Sequence, residues 1–177
     1  MDIKEFLDLS AGKWFSQRTN YLLNGSENKA QNNKADLTIE LISKDDSRVV
    51  QICQAGKINP DLSLGGTVQS WDNSVDWGKP KQAGSSTIVL IPDGENDRAG
   101  KLLRQGDTKV CGNYILGDDE ALTLVIETDD FYAEERQWFA SDNLRLRTTL
   151  VKNGTGMKQT SFYSEIRKAV PKKEAES

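Results

Sequence analysis

The chain has 177 residues, a length that suits one domain, and its 27 acidic and 23 basic residues give a formal charge of −4. No sustained Lys/Arg stripe is present, which argues against a nucleic-acid backbone as the main partner, and the absence of histidine excludes Ser-His-Asp catalysis and His-ligated zinc. No apolar run is long enough for a membrane-spanning helix and the N-terminus lacks the apolar stretch of a signal peptide, so we expect a cytoplasmic protein without a metal site.

The first predicted element is a short amphipathic helix, because Ile3, Phe6 and Leu7 have helical spacing. A strand is predicted to start at Gly12, where aromatic and polar residues begin to alternate. Within it, Trp14 has two interpretations. It is either a plug at one end of the fold, with a guanidinium from a late strand stacked on its indole, or an ordinary core tryptophan.

Short segments with strand character recur along the rest of the chain, about ten in number. They are residues 37–42, 49–54, 67–71, 87–91, 101–104, 110–116, 121–128, 132–140, 145–151 and 159–167. Turn-forming residues separate them at 24–26, 44–46, 64–66, 92–94, 117–119, 141–143 and 153–156. Most of these connections are short enough for hairpins, so the pattern predicts a meander.

A meander of about ten antiparallel strands has to protect its edge strands, and closing the sheet into a barrel does so. We therefore predict an all-β, up-and-down antiparallel barrel with a short N-terminal helix, and a Greek-key sandwich is the alternative. The barrel is expected to occupy residues 1–168 as one domain, followed by a flexible charged tail at 169–177. Cys53 and Cys111 lack metal-ligand spacing and are predicted to be reduced, buried thiols.

A barrel of this size can hold one small ligand, so polar and aromatic side chains on alternating positions become candidate site residues. Trp71 and Trp77 flank an Asx-rich turn. They would either form a rim that stacks on a planar ligand or pin a hairpin.

Residues 133–149 form the strongest candidate segment. Alternation places Arg145, Arg147 and Thr149 on one face of a strand, a geometry that can clamp two carboxylates. On the preceding strand Glu135 lies on the opposite face from Glu134, although one β-bulge would exchange them, and a carboxylate there could accept N–H bonds or pass a proton. The alternative is a solvated outer face with cross-hairpin ion pairs.

In their order and spacing, these segments together resemble the S/U-type phycobiliprotein lyases (the CpcS, CpcU and CpeS proteins). The resemblance covers the chain to about residue 168. It is carried by Phe6, residues 10–14, residues 16–19, Trp71, Trp77, residues 133–136, residues 138–141, residues 143–148, residues 161–162 and residues 164–167.

The resemblance implies a lipocalin-like (fatty-acid-binding-protein-like) barrel. It implies a lyase that holds a linear tetrapyrrole (bilin) such as phycocyanobilin as substrate, without a permanent cofactor, and delivers it to a cysteine of an apo-phycobiliprotein, where a thioether forms. Arg145 and Arg147, with Arg18, would grip the propionates. Glu135 would be the catalytic group that holds the pyrrole N–H groups and favours the protonated, electrophilic pigment, and Trp71 and Trp77 would border the pocket.

Where the family usually has histidine after its Ser-x-Arg segment, this chain has Asn20 and Tyr21. Tyr21 could donate its hydroxyl to the pigment but is a poor base near neutral pH. Since some members act as heterodimers, we expect a homodimer or a U-like subunit paired with a paralogue. Two other functions remain open: a bilin carrier that promotes no bond, and a structural protein whose barrel interior is filled.

Overall fold

A computed structural model describes residues 1–23, 30–105 and 110–169. The predicted turn at 24–26 and nearly all of the predicted tail lie outside these ranges. The helices are α1 (Ile3–Ser10) and α2 (Ser47–Ala55), and Pro60–Leu62 form a 3-10 turn. The strands are β1 (Gly12–Leu22), β2 (Gln31–Ile42), β3 (Gly66–Asp72), β4 (Ala83–Asp93), β5 (Asn96–Gln105), β6 (Val110–Leu116), β7 (Leu122–Thr128), β8 (Phe131–Ser141), β9 (Leu144–Asn153) and β10 (Lys158–Arg167).

The strands form a closed antiparallel barrel in which each strand pairs with its neighbours in sequence and β1 also pairs with β10. The closing register runs from Trp14 opposite Arg167 to Leu22 opposite Gln159. Closure pairs the first strand with the last, so neither is left as an unpaired edge. This is the physical reason for predicting a barrel from a meander of about ten strands. The predicted up-and-down barrel is confirmed, and the sandwich alternative is wrong.

Helix α1 closes one end of the barrel. Its start is fixed by a capping box, in which Glu5 N donates to Asp2 Oδ1 at 2.7 Å and Asp2 N donates to Glu5 Oε2 at 2.8 Å. Its buried face, with Ile3 and Phe6, joins the main core, where the Phe6 ring meets Phe139 edge-on at 5.1 Å. Because α1 leads directly into β1 and successive strands are antiparallel, the last residues of β1, β3, β5, β7 and β9 lie at the opposite, open end.

The strand predicted at 49–54 is wrong, because these residues belong to helix α2. Asp46 caps the helix, and Val49, Ile52 and Cys53 have the i, i+3, i+4 spacing of one buried helical face. That face covers outward-facing Val89, Ile91 and Leu103 on β4 and β5. The β-branched residues of the segment suggested a strand, but packing on the barrel wall decides the outcome.

The two cysteines differ in environment. Cys53 is fully buried on the inner face of α2, as predicted, and burial raises the pKa of its thiol. Cys111 is exposed on β6, so the prediction that it is buried is wrong, and both thiols are free. No helix among the described residues is long and apolar enough to cross a membrane.

Candidate functional site

A cavity of about 500 Å³ occupies the barrel interior on the side away from α1. Its volume lies within the range of pockets that hold small organic ligands. Its wall combines aliphatic, hydroxyl, amide, aromatic and charged side chains. The lining residues are Ser16, Arg18, Asn33, Lys34, Ala35, Leu37, Gln69, Trp71, Asn73, Gln82, Ser86, Ile88, Leu102, Arg104, Leu124, Ile126, Ala133, Glu134, Glu135, Arg147, Thr149, Val151, Gln159, Ser161 and Tyr163.

The lining is cationic although the chain as a whole is acidic. Three basic side chains of the lining point inward, Arg18, Arg104 and Arg147, together with one acidic side chain, Glu135, whereas strand alternation turns the side chains of Lys34 and Glu134 outward. The formal excess is two positive charges, within a chain of charge −4. A cavity with this balance favours a ligand that carries negative charge, and two carboxylates would neutralise the excess.

The strand register stacks the functional side chains of β1, β10, β9 and β8 in tiers on the inner wall. Arg18, Tyr163, Arg147 and Gln137 lie opposite one another in one tier. One tier nearer the α1 end come Ser16, Glu165, Arg145 and Phe139, and one tier nearer the open end come Asn20, Ser161, Thr149 and Glu135.

Two arginines and two glutamates connect these tiers through ion pairs. Glu165, which is fully buried, accepts from Arg145 Nε at 2.6 Å and from Arg147 Nη2 at 2.9 Å. Glu135 accepts from Arg147 Nη1 at 3.3 Å and from Gln137 Nε2 at 2.5 Å. Arg147 is thus bound on its α1 side by the buried carboxylate of Glu165, and on its cavity side it contacts the more exposed carboxylate of Glu135.

Burial and charge act in opposite directions on these groups. Burial alone would lower the pKa of Arg147, but the attraction of Glu165 and Glu135 outweighs it and raises that pKa. Burial lowers the pKa of Arg145, which is only partly offset by Glu165. For Glu165 burial would raise the pKa, yet Arg147 and Arg145 hold it below its ordinary value. Arg147 and Glu165 are therefore a stable ion pair at neutral pH.

Tyr163 organises the basic side chains of its tier. Its ring lies 3.8 Å from the Arg147 guanidinium carbon and 5.9 Å from that of Arg18. Cation–π contacts of this kind restrict a guanidinium while leaving its N–H groups free to donate. Arg18 and Arg147 consequently present two positioned cations to the same part of the cavity.

Trp14 forms the floor beneath these tiers, and the predicted plug with a stacked guanidinium is confirmed. Its indole is fully buried and donates from Nε1 to Ser10 O at 2.9 Å. Arg145 lies 5.5 Å from the indole ring and Arg167 lies 4.1 Å from it. Arg167 also donates to the Ala11 carbonyl at 2.7 Å, so the floor is tied to the end of α1.

Four of the predicted site residues line the cavity: Arg18, Trp71, Glu135 and Arg147. The Trp71 ring packs directly over Gly84, where an added Cβ would lie 2.5 Å from the indole. Glu134 also borders the cavity, and its carboxylate accepts the Tyr132 hydroxyl at 2.6 Å. Glu135, by contrast, is the glutamate that contacts Arg147.

Arg145 does not reach this cavity. Its side chain is 1% exposed and its Nε is bound to Glu165, one tier below Arg147. Direct contact between Arg145 and a ligand in the cavity does not fit this geometry. The structure instead gives Arg145 an indirect position, as the second cation that neutralises Glu165.

Tyr21 and Trp77 are also outside the lining. Strand alternation turns Tyr21 to the outer surface, where it is 41% exposed, while its neighbour Asn20 points inward and is buried. With its amide oriented to donate to Ser161 Oγ at 2.5 Å, Asn20 accepts from Arg18 Nε at 3.2 Å. Trp77 lies on the β3–β4 connection and is 89% exposed.

Sequence reasoning missed three residues that the structure assigns to the site: Arg104, Tyr163 and Glu165. Alternation along β10 places Ser161, Tyr163 and Glu165 on one face, which was the available signal for two of them. Their pairing with β9 follows from the register. Arg104 resembles an ordinary surface charge at a polar strand end.

A family model described as CpeS-like protein matches residues 2–168 of the chain. The chain is 43% identical to the chromophore lyase CpcS/CpeS of Thermosynechococcus vestitus, an alignment that covers 96% of the chain and 94% of the relative. It is 37% identical to the phycocyanobilin lyase subunit CpcS of a Picosynechococcus species, with 94% and 86% covered. The solved structure of the S-type phycobiliprotein lyase CPES from Guillardia theta matches with a TM-score of 0.83 and 28% identity, covering 96% and 94% of the two chains.

Proposed function

The chain belongs to the CpeS-like family, and from this premise we propose that it is a chromophore lyase that attaches a bilin to an apo-phycobiliprotein. The pigment, of the phycocyanobilin type, is bound non-covalently and then forms a thioether with a cysteine of the acceptor. The observation that carries the proposal is the cavity of about 500 Å³ with an excess of two positive charges. A linear tetrapyrrole supplies a large apolar surface and two propionates to such a site.

Within the cavity, Arg147 and Arg18 hold the propionates. Both guanidinium groups are positioned by Tyr163, and charge-assisted hydrogen bonds to carboxylates are among the stronger polar contacts in proteins. Arg145 contributes through Glu165, which it shares with Arg147. Trp71 borders the pigment from β3.

Glu135 accepts hydrogen bonds from the pyrrole N–H groups and favours the protonated form of the pigment. It lies one tier nearer the opening than Arg147 and contacts it at 3.3 Å. A propionate that binds Arg147 competes with Glu135 for the same guanidinium, which would free this carboxylate to accept pigment N–H bonds. The acceptor thiol acts as the nucleophile, so the lyase contributes orientation and protection of the pigment rather than an imidazole base.

The test combines the purified chain, phycocyanobilin and an apo-phycocyanin subunit, with and without a paralogous chain. We expect pigment that stays on the acceptor after denaturation, formed faster and at fewer cysteines than without the chain. A reversible absorbance change without such an adduct, under both conditions, would instead identify a carrier. The absence of any absorbance change would favour a structural protein.

We also propose that the chain forms a homodimer or pairs with a paralogue through its outer apolar face. This face consists of side chains on β1, β8, β9 and β10 that alternate with the inward-facing residues. Its members are Phe15, Tyr21, Trp138, Leu144, Leu146, Leu150, Phe162 and Ile166.

Two observations support a partner of this kind. Phe162 and Ile166 are 42% and 50% exposed, whereas the apolar wall on β4 and β5 is covered by α2. The outward-facing charged neighbours of this face on β8 are Glu134 and Arg136, whose charges are opposite, so the face presents no net charge of one sign to a second copy. Sheet faces with this composition commonly bury themselves against another sheet.

Sedimentation of wild type and Phe162→Asp tests this interface. We expect the variant to lose the dimer while keeping its β-sheet circular dichroism, and Leu62→Asp, at an exposed position outside the face, to leave the dimer intact. A wild-type chain that stays monomeric alone and with its paralogue would contradict the interface. Fractionation of a producing cyanobacterium checks the expected cytoplasmic location.

A further inference from the structure

The β3–β4 connection, residues 73–82, forms part of the rim of the cavity at the open end of the barrel. Asn73 and Gln82 line the cavity and lie at the two ends of the connection. They are joined by bonds from Asn73 N to Gln82 O at 3.0 Å and from Gln82 N to Asn73 Oδ1 at 2.7 Å. Asn73 Nδ2 also donates to Pro80 O at 2.8 Å, so one side chain closes the loop.

A second set of bonds ties this loop to β2. The Asp76 carboxylate accepts from Lys34 N at 2.9 Å and pairs with Lys79 Nζ at 3.1 Å. Lys79 Nζ in turn donates to the Asn32 carbonyl and to Asn33 Oδ1. The bond from the Lys34 backbone, with Lys79, keeps the pKa of Asp76 below its ordinary value. Polar bonds therefore hold the conformation of the loop.

Trp77 lies between Asp76 and Gly78 in this bonded loop. At 89% it has the highest exposed fraction of the large hydrophobic side chains in the described part of the chain. Gly78, which follows it, has φ +83°, a turn conformation that suits glycine. The loop thus holds a large aromatic side chain in solvent at the edge of the cavity without using it for packing.

We propose that Trp77 is the anchor by which the acceptor phycobiliprotein docks onto the mouth of the cavity, its indole entering an apolar pocket beside the acceptor cysteine. The inference rests on the proposed function, because a pigment passed from an enclosed cavity to a thiol of another protein requires that protein to contact the rim. Exposed tryptophans on preorganised loops are frequent binding hot spots. The inner side of the connection then faces the pigment, and its tip faces the acceptor.

A lid over the pigment is the competing role for the same side chain. To bring Trp77 over the cavity, the loop would have to rotate about its ends. That motion would break the bonds of Asp76 to Lys34 and of Lys79 to β2. Trp71, which already lines the cavity and packs on Gly84, supplies an aromatic contact to the pigment without such a motion.

The experiment compares Trp77→Ala with Trp71→Ala and with Trp77→Phe. For Trp77→Ala we expect phycocyanobilin affinity within twofold of wild type in the absence of acceptor. We expect at least a tenfold higher KM for the apo-subunit, with kcat nearly unchanged, and weaker binding of the apo-subunit to the pigment-free chain. Trp77→Phe should recover part of the loss, whereas Trp71→Ala should weaken pigment binding.

Addition of a small thiol to the bound pigment provides a matched control, because a small thiol needs no docking surface. Its rate should be the same for wild type and Trp77→Ala. Loss of pigment affinity in Trp77→Ala would overturn the anchor in favour of a lid. Unchanged apo-subunit binding and KM would overturn the anchor, and unchanged pigment affinity as well would exclude both roles. If the wild-type chain transfers no pigment, the proposed function fails. Binding of the apo-subunit to the pigment-free chain still tests the anchor in that case.

Discussion

Arg145 and Arg147 lie two positions apart on the same face of β9, yet their environments differ. Arg147 has a 13% exposed side chain and lines the cavity, whereas Arg145 is 1% exposed and lies one tier deeper. Both depend on Glu165, which is the common acceptor of their N–H groups. Only Arg147 is therefore placed to exchange its second carboxylate partner, Glu135, for one supplied by a ligand.

Replacing Arg147 by alanine is expected to weaken phycocyanobilin binding by about 10- to 100-fold, since a hydrogen bond to a charged group contributes about 1.5–3 kcal/mol. Titration by visible absorbance measures the effect. The dimethyl ester of the pigment is the matched ligand: it should bind wild type less tightly and should lose little further affinity in the variant. Equal losses for the acid and the ester would show that Arg147 does not bind a carboxylate.

At the scale of elements, α2 and the cavity occupy opposite sides of the barrel wall. Ile52, on the buried face of α2, packs on outward-facing residues of β4 and β5. Ile88 and Leu102 of the same strands face inward and line the cavity. Stability from the outer cluster is thus separable from ligand binding.

Ile52→Ala should lower the free energy of unfolding by about 2–5 kcal/mol, because it leaves a cavity in the cluster under α2. Pigment affinity should stay within twofold of wild type at a temperature where the variant is folded. Urea denaturation and absorbance titration measure the two quantities. Gln51→Ala, on the exposed face of α2, is the control and should change neither.

The contact between Trp71 on β3 and Gly84 on β4 shapes the cavity, unlike the cluster under α2. An added Cβ at Gly84 would lie 2.5 Å from the Trp71 indole, so Gly84→Ala must displace this ring. We expect a several-fold loss of pigment affinity and a shifted absorbance maximum of the bound pigment, with circular dichroism of the sheet unchanged. An unaltered spectrum of bound pigment would show that Trp71 does not border it.

For the whole molecule, the buried ion pairs make stability depend on pH. The pKa of Glu165 is lowered from its ordinary value of 4.5, because Arg147 and Arg145 outweigh the effect of burial. Its contribution is therefore complete above about pH 4.5 and is lost as the pH falls through the lowered folded-state pKa.

Glu165→Gln tests this contribution. We expect a loss of about 3–5 kcal/mol at pH 7, since two guanidinium groups lose a buried partner, and a smaller further loss than wild type between pH 5 and about pH 3. Urea denaturation across this pH range measures both. Parallel stability curves for the two proteins would contradict the assignment, although other carboxylates such as Asp46 keep some pH dependence in the variant.

Sequence reasoning predicted the barrel because period-two alternation and turn residues are local signals. It also placed Arg145 and Arg147 on one face correctly, but it could not predict that only Arg147 reaches the cavity. That difference depends on β10, whose Glu165 lies 20 residues from Arg145 and binds it. The helix at Ser47–Ala55 was missed because its short apolar pattern fits two periods. Trp77 was expected to border the pocket, and its position outside the lining could not be predicted because it depends on loop bonds to Asn32 and Asn33.

The pairing of the first strand with the last has a consequence for synthesis on the ribosome. Arg18 on β1 and Arg147 on β9 become neighbours only through β10, which lies between them. A nascent chain that ends before Lys158 contains β1 to β9, but the edges of β1 and β9 that pair with β10 are unpaired. Arg18 and Arg147 are then not yet neighbours. Pigment capture should consequently begin only after translation has passed Arg167, when the ring can close.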